Sequence, residues 1–161
     1  MSDEPIAARS TSRPKVSVSL VAADRGESPK AEVHFGAGQR WELAGDGSAP
    51  SPVEALLAAL AACQVITYRH WAARLGVDLE RCEVSVRGDL DPRGFLGEPG
   101  AAGVGLQDVR LVVRLAGTSP AARYEELAES VDRHCPVHSS LLEAVPLERE
   151  LQLSSVDHVG H

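Results

Sequence analysis

Apolar and polar positions alternate along much of this chain, and the alternation is interrupted by stretches of helical spacing. Val16, Val18 and Leu20 face one way across residues 15–22, which predicts a strand. Turn-forming residues follow at 23–29. Ala31, Val33 and Phe35 make a second alternating set, and Trp41 and Leu43 carry a third after the turn at 36–38. Residues 51–76, SPVEALLAALAACQVITYRHWAARLG, then read as one long helix. Ser51 suits the N-cap, Pro52 the first helical position and Glu54 a capping box. Gly76 supplies the stop, with Arg69 and Arg74 near the negative end of the helix dipole. Cys82, Val84 and Val86 alternate in a fourth strand, and Val109, Leu111, Val113 and Leu115 in a fifth across 107–116. A second helix starts after a Ser119 cap, places Tyr124, Leu127 and Val131 on one stripe, and ends at His134-Cys135-Pro136. A short helical turn fits 139–144. Leu147, Leu151 and Leu153 alternate in a last strand. The order βββ-α-ββ-α-β predicts an α+β fold with both helices on one face of an antiparallel sheet.

The long helix does not balance against one sheet. Between Val53 and Ile66 only Glu54 and Gln64 are polar, so its first half is apolar nearly all round. The missing cover is most simply a second copy of the chain, a homodimer. The apolar run is too short to cross a bilayer. At about 100° per residue, Leu56, Ala59, Leu60, Cys63, Ile66, Thr67 and His70 share a face.

Composition narrows the class. A length of 161 residues suits one domain, here 15–154, between a disordered segment at 1–14 and a polar tail at 155–161. A net charge of -7 argues against nucleic acid and anionic membrane as partners. The first residues lack the apolar run of a secretion signal, and the three cysteines make an odd number. Both features predict a reduced, cytoplasmic protein.

The cysteines carry the candidate chemistry. Each alone reads as a small buried hydrophobe. Cys63 and Cys135 are less easily idle together, one in mid-helix and the other in a helix-ending Cys-Pro. Cys82 lies on the inward face of a strand and reads as structural. His134 and His138 bracket Cys135 as HCPVH, but a structural zinc site wants four ligands, and only His70 and Cys63 could complete one. No metal is expected. His70 lies about 10 Å from Cys63 along the helix and reads as a core or interface histidine. Residues 88–105 are rich in glycine without forming a dinucleotide fingerprint, and Phe95 and Leu96 at the tip suit an apolar lid.

SPVEALLAALAAC, followed after the next helix by HCPV, resembles the OsmC/Ohr family of thiol peroxidases, and the likeness runs from about Val16 to Leu153. The resemblance implies an OsmC-like fold: two helices, the long one central and carrying Cys63, on a curved antiparallel sheet in an intertwined homodimer. It implies Cys63 as the peroxidatic cysteine, Cys135 as the resolving one, and organic hydroperoxides as substrates. It implies no bound cofactor, and an external dithiol reductant, of lipoyl type in the family's best-known branch. A thiolate in an apolar site needs a cation. The family position points to Arg25, with Arg40 as competitor. The family's glutamate after the helix proline is replaced by Val53, and glutamate comes one later, at Glu54. Glu54 precedes Cys63 by about 900° of turn and about 13.5 Å of rise, so it faces away from its own Cys63 and could serve only a partner subunit's site. The Val53 departure leaves an alternative, a non-catalytic OsmC-like module that binds a small apolar ligand.

Overall fold

The computed structural model describes residues 20–23, 29–36, 38–143 and 145–153. The chain divides between Pro52 and Val53 into two units.

The first unit is a meander of β1 (Val21–Ala23), β2 (Lys30–His34) and β3 (Arg40–Ala44), paired antiparallel in the order β1-β2-β3. Gly38 makes the β2–β3 turn at φ 85°, a left-handed conformation that only glycine adopts freely. Phe35 and Trp41 meet edge-to-face across that turn, with ring centroids 4.9 Å apart. Lys30 pairs with Glu42 across the strands at 3.1 Å. Val16 and Val18 lie outside the described residues.

The second unit is built on α1 (Pro52–Leu75), β4 (Arg81–Asp89), α2 (Pro92–Leu96), β5 (Gln107–Ala116), α3 (Ala121–His134) and α4 (Pro136–Leu142). Gly76 ends α1 at φ 64°, and the Val77 amide donates back to Ala72 O at 2.9 Å, as a left-handed helix stop requires. Arg123 of α3 donates to the Leu75 carbonyl at the same end. β4 and β5 pair antiparallel with Cys82 opposite Leu115, Val84 opposite Val113 and Val86 opposite Leu111. Those pairs form the inward face, as the predicted period of two requires; Val109, also expected inward, is exposed. The core lies where that face meets the second half of α1 and the stripe of α3. Tyr68, Ala72, Val77, Leu79, Leu127, Val131 and Cys135 form it, with Cys63, Trp71 and Cys82 packed against it.

The fold class is α+β, with antiparallel sheets, as the pattern predicts. Four details differ. The described strands pair as two sheets, β1-β2-β3 and β4-β5. A short helix, α2, forms inside the glycine-rich stretch because Asp91 caps it and Pro92 starts it. Ser119 is not the cap of α3: Pro120 holds that position, and Ser119 Oγ instead accepts a hydrogen bond from the Asp78 amide at 2.8 Å. The strand predicted around Leu147 is not formed; residues 145–153 carry no regular structure and Leu147 is 94% exposed. A strand needs a partner edge, and neither of the two described sheets includes this segment.

Candidate functional site

Cys63 projects from the middle of α1, half-buried, and Cys135 lies fully buried in the one-residue joint between α3 and α4. Pro136 forces that joint, since it cannot continue α3 but suits the first position of α4. The fold thus brings together two thiols from separate helices. Burial pushes the Cys135 thiol above its ordinary range; the His138 backbone N–H on its sulfur works the other way, the hydrogen bond and charge of Cys63 push it up further, and the Thr67 hydroxyl lowers it. Thr67 sits one turn beyond Cys63, and its Oγ1 also donates to Cys63 O at 2.7 Å. Cys82 is apart, on β4. Burial raises its thiol too, against the Arg69 charge, and it remains a wall of the core.

A cavity of about 500 Å³ is lined by α1, the long connection, β5 and α4. Its walls include Val53, Leu56 and Leu60 of α1, Leu90 and Leu106 of the long connection, and Leu111 of β5. Leu60 is one turn before Cys63, and His138, the neighbour of Cys135, lines the cavity as well. At Gly88 a Cβ would stand 3.0 Å from a Leu106 methyl and 3.3 Å from a Val109 methyl, so a larger residue there would require those two cavity-lining side chains to give way. The volume lies in the range of small-molecule sites, and the wall chemistry suits a hydrocarbon.

The connection that supplies part of the cavity wall is itself braced. Asp91 accepts from the Arg93 and Ala102 amides at 3.1 and 3.0 Å and pairs with the Arg93 guanidinium at 2.7 Å. Those hydrogen bonds, Arg93's first, hold its carboxyl down at about 2. A Cβ on Gly94 would stand 2.1 Å from Gly103 O, so only glycine permits the loop's two limbs to touch. Phe95 and Leu96 are not the lid residues: they face solvent, and Leu90, Val104 and Leu106 reach the cavity.

The other candidates fall as follows. Arg25 lies outside the described residues. Arg40 is on β3, 3.5 Å from Glu32, with an exposed guanidinium. Glu54 is in the first turn of α1. His70 is exposed in this chain, not in the core, with its ring edge on Trp71; helical spacing could not separate the buried arc of so apolar a helix. His134 Nδ1 contacts Ser130 O at 2.7 Å and its ring lies against Trp71. Among the described residues no group of three or more His, Cys, Asp or Glu side chains is placed to hold a metal. No helix among them is long and apolar enough to cross a membrane. The sequence placed Thr67 on the Cys63 face without giving its hydroxyl a role, and missed the wall position of His138; their spacing from the cysteines, i+4 and i+3, was the available signal.

Residues 45–150 match the family model described as OsmC-like protein. No curated protein matches the chain. Among solved structures, an OsmC like protein from Mycoplasma pneumoniae aligns with a TM-score of 0.69 and 18% identity, over 81% of this chain and 91% of that one. An organic hydroperoxide resistance protein OsmC from Legionella pneumophila aligns with a TM-score of 0.61 and 20% identity, over 80% and 91%. An organic hydroperoxide resistance protein from Elizabethkingia anophelis aligns with a TM-score of 0.59 and 16% identity, over 80% and 89%. At such identities the likeness is one of fold.

Proposed function

The chain belongs to the OsmC-like family, and from that premise we propose that it is a thiol-dependent peroxidase that reduces organic hydroperoxides. The observation that carries the reading is the contact of the Cys63 and Cys135 thiols; an apolar cavity is lined by Leu60, one turn before Cys63, and by His138, one turn after Cys135. The names of the Legionella and Elizabethkingia structures point the same way.

In the proposed cycle the Cys63 thiolate attacks the distal oxygen of ROOH. The S–O bond forms, the O–O bond breaks, and the alkoxide leaves as alcohol after taking a proton from solvent. Sulfur loses two electrons and becomes a sulfenic acid. Cys135, as thiolate, attacks that sulfur; the disulfide forms and hydroxide departs as water. An external dithiol reduces the disulfide by two exchange steps and becomes a disulfide itself. Arg25 is the proposed stabiliser of the Cys63 thiolate, with Arg40 the alternative, and Glu54 acts from the partner subunit. The working form is a homodimer. Ala62 and Ile66 expose an apolar stripe on α1, and Ile66 is 69% exposed in the single chain. The free cysteines suit a reducing cytoplasm.

The test is consumption of cumene hydroperoxide with a dithiol reductant. Cys63→Ser should abolish it. Cys135→Ser should complete one oxidation and stall. Mass spectrometry after one equivalent of peroxide should find a Cys63–Cys135 disulfide in the parent; free thiols, or a disulfide to Cys82, would refute the two-cysteine cycle. The cavity also suits a second reading, a non-catalytic binder of a small apolar ligand. Ligand binding without any peroxide consumption would favour it.

A further inference from the structure

The Nδ1 of His138 is closed to solvent and has no hydrogen-bond partner among the described residues. Neither water nor a bound molecule reaches it, so only a protein group that moves can satisfy it. A buried nitrogen left unpaired is costly. The Asp132 carboxylate is the neighbour placed to relieve that cost. It stands 4.0 Å from the nitrogen, about 1 Å beyond hydrogen-bond reach. Asp132 and His138 lie three residues before and three residues after Cys135, on the two helices that meet at that thiol. Their separation therefore follows the angle of the joint. The two helices are held unequally. Leu127 and Val131, both fully buried, fix α3 in the core, whereas α4 has no buried residue. α4 is the arm that can swing. In the reduced chain its first turn is tied to the Cys135 sulfur, which accepts the His138 backbone N–H.

A disulfide changes both ends of that arrangement. Bond formation draws the two sulfurs closer than non-bonded contact allows, so the joint has to shift. A sulfur in a disulfide also cannot ionise, and its hold on the His138 amide loses the charge-assisted form that a thiolate gives it. We propose that Asp132 is a positioning residue for the disulfide: when Cys135 bonds to Cys63, α4 shifts at the joint and the Asp132 carboxylate accepts a hydrogen bond from His138 Nδ1–H. That hydrogen bond exists only in the oxidised chain. It stabilises the disulfide relative to the two thiols and is given up on reduction. The inference rests on the Cys63–Cys135 disulfide of the proposed cycle and not on the oxidant that makes it.

The experiment equilibrates the full chain in glutathione buffers at one neutral pH. The thiol pair gives two electrons and two protons to oxidised glutathione, which yields the protein disulfide and two molecules of reduced glutathione. No hydroperoxide is needed, so a chain that consumes none is still tested. A Cys82→Ser background removes the third thiol. In that background the equilibrium constant for the disulfide should fall roughly three- to tenfold in Asp132→Ala, the worth of one hydrogen bond. Asp132→Asn, whose side-chain oxygen still accepts, should recover most of it. The His138 Nδ1–H resonance, read by nitrogen-15 NMR in the parent, should move downfield on oxidation. That readout decides the matter if Asp132→Ala does not fold. An unchanged equilibrium in Asp132→Ala, an Nδ1–H resonance that stays in place, or a thiol pair that forms no disulfide would each overturn the proposal. The last result would also remove the proposed peroxidase cycle, whereas the first two would leave it standing.

Discussion

Replacing Thr67 by valine removes one hydroxyl from the thiol pair and leaves its shape, a β-branched side chain on a buried face of α1. The hydroxyl has one proton and two calls on it. It is given to Cys63 O at 2.7 Å, and it is within reach of the Cys135 sulfur, where it favours the thiolate. A hydrogen bond to a charged group contributes about 1.5–3 kcal/mol and one to a neutral carbonyl about 0.5–1.5. Turning from one to the other therefore favours the Cys135 thiolate by a net of about 1–1.5 kcal/mol, about tenfold in thiolate population. The Cys135 thiol is already raised by burial, so Thr67→Val drives it further in the same direction. In the proposed cycle disulfide formation depends on that thiolate, so its rate should rise with pH, and the variant's profile should lie to the alkaline side of the parent's. The scarcer thiolate is also the stronger nucleophile, by roughly threefold for such a change. The condensation step should then slow by about threefold at neutral pH. Stopped-flow fluorescence of Trp71, which packs against this core, should resolve the step after the first oxidation. Alkylation of Cys135 as a function of pH in a Cys63→Ser background measures the thiol directly. If Thr67→Val titrates at the same pH as its parent, or below it, the assignment of the hydroxyl to Cys135 is wrong.

Two further outcomes test the core behind the site. Leu127 is fully buried among Tyr68, Val131 and Cys135, so Leu127→Ala should cost about 3–4 kcal/mol and lower the melting temperature by roughly 10 °C; a calorimetric loss below about 1 kcal/mol would show that the core is not packed as described. Tyr68 is pushed up to about 12 from an ordinary 10.0, first by burial and then by the charges of Asp132 and Cys82. Its contribution to stability is fully present below the unfolded value and is lost as pH rises from 10.0 to about 12. Urea unfolding at both ends of that window should show the fall, and Tyr68→Phe should remove part of it. Cys82 and Cys135, also raised, keep the remainder.

What could be read along the chain was whatever a face or a terminus decides. Pro52 and Gly76 mark the ends of α1 because a ring that fixes φ and a residue free to adopt positive φ act locally. Cys82, Val84 and Val86 pair with Leu115, Val113 and Leu111 because a period of two commits a strand to one buried face. What could not be read was what each face meets. Leu147 carries the alternation of a strand, but alternation names no partner edge, and the residue stands exposed. His70 shares a helical arc with Cys63, yet an arc on a helix apolar all round does not say which side is covered. The same limit governs the site. Nothing local joins the middle of α1 to the end of α3; the family resemblance was what paired Cys63 with Cys135, and the contact between their thiols depends on α3 docking through Leu127 and Val131. HCPVH shows the consequence most directly. As a string it has the spacing of metal ligands, and in the fold its members separate. His134 turns back to Ser130 and Trp71, Cys135 is buried against Cys63, and His138 reaches the cavity wall. One turn of helix and one proline distribute three side chains with similar chemistry to three environments, and it is the environments that set what each can do.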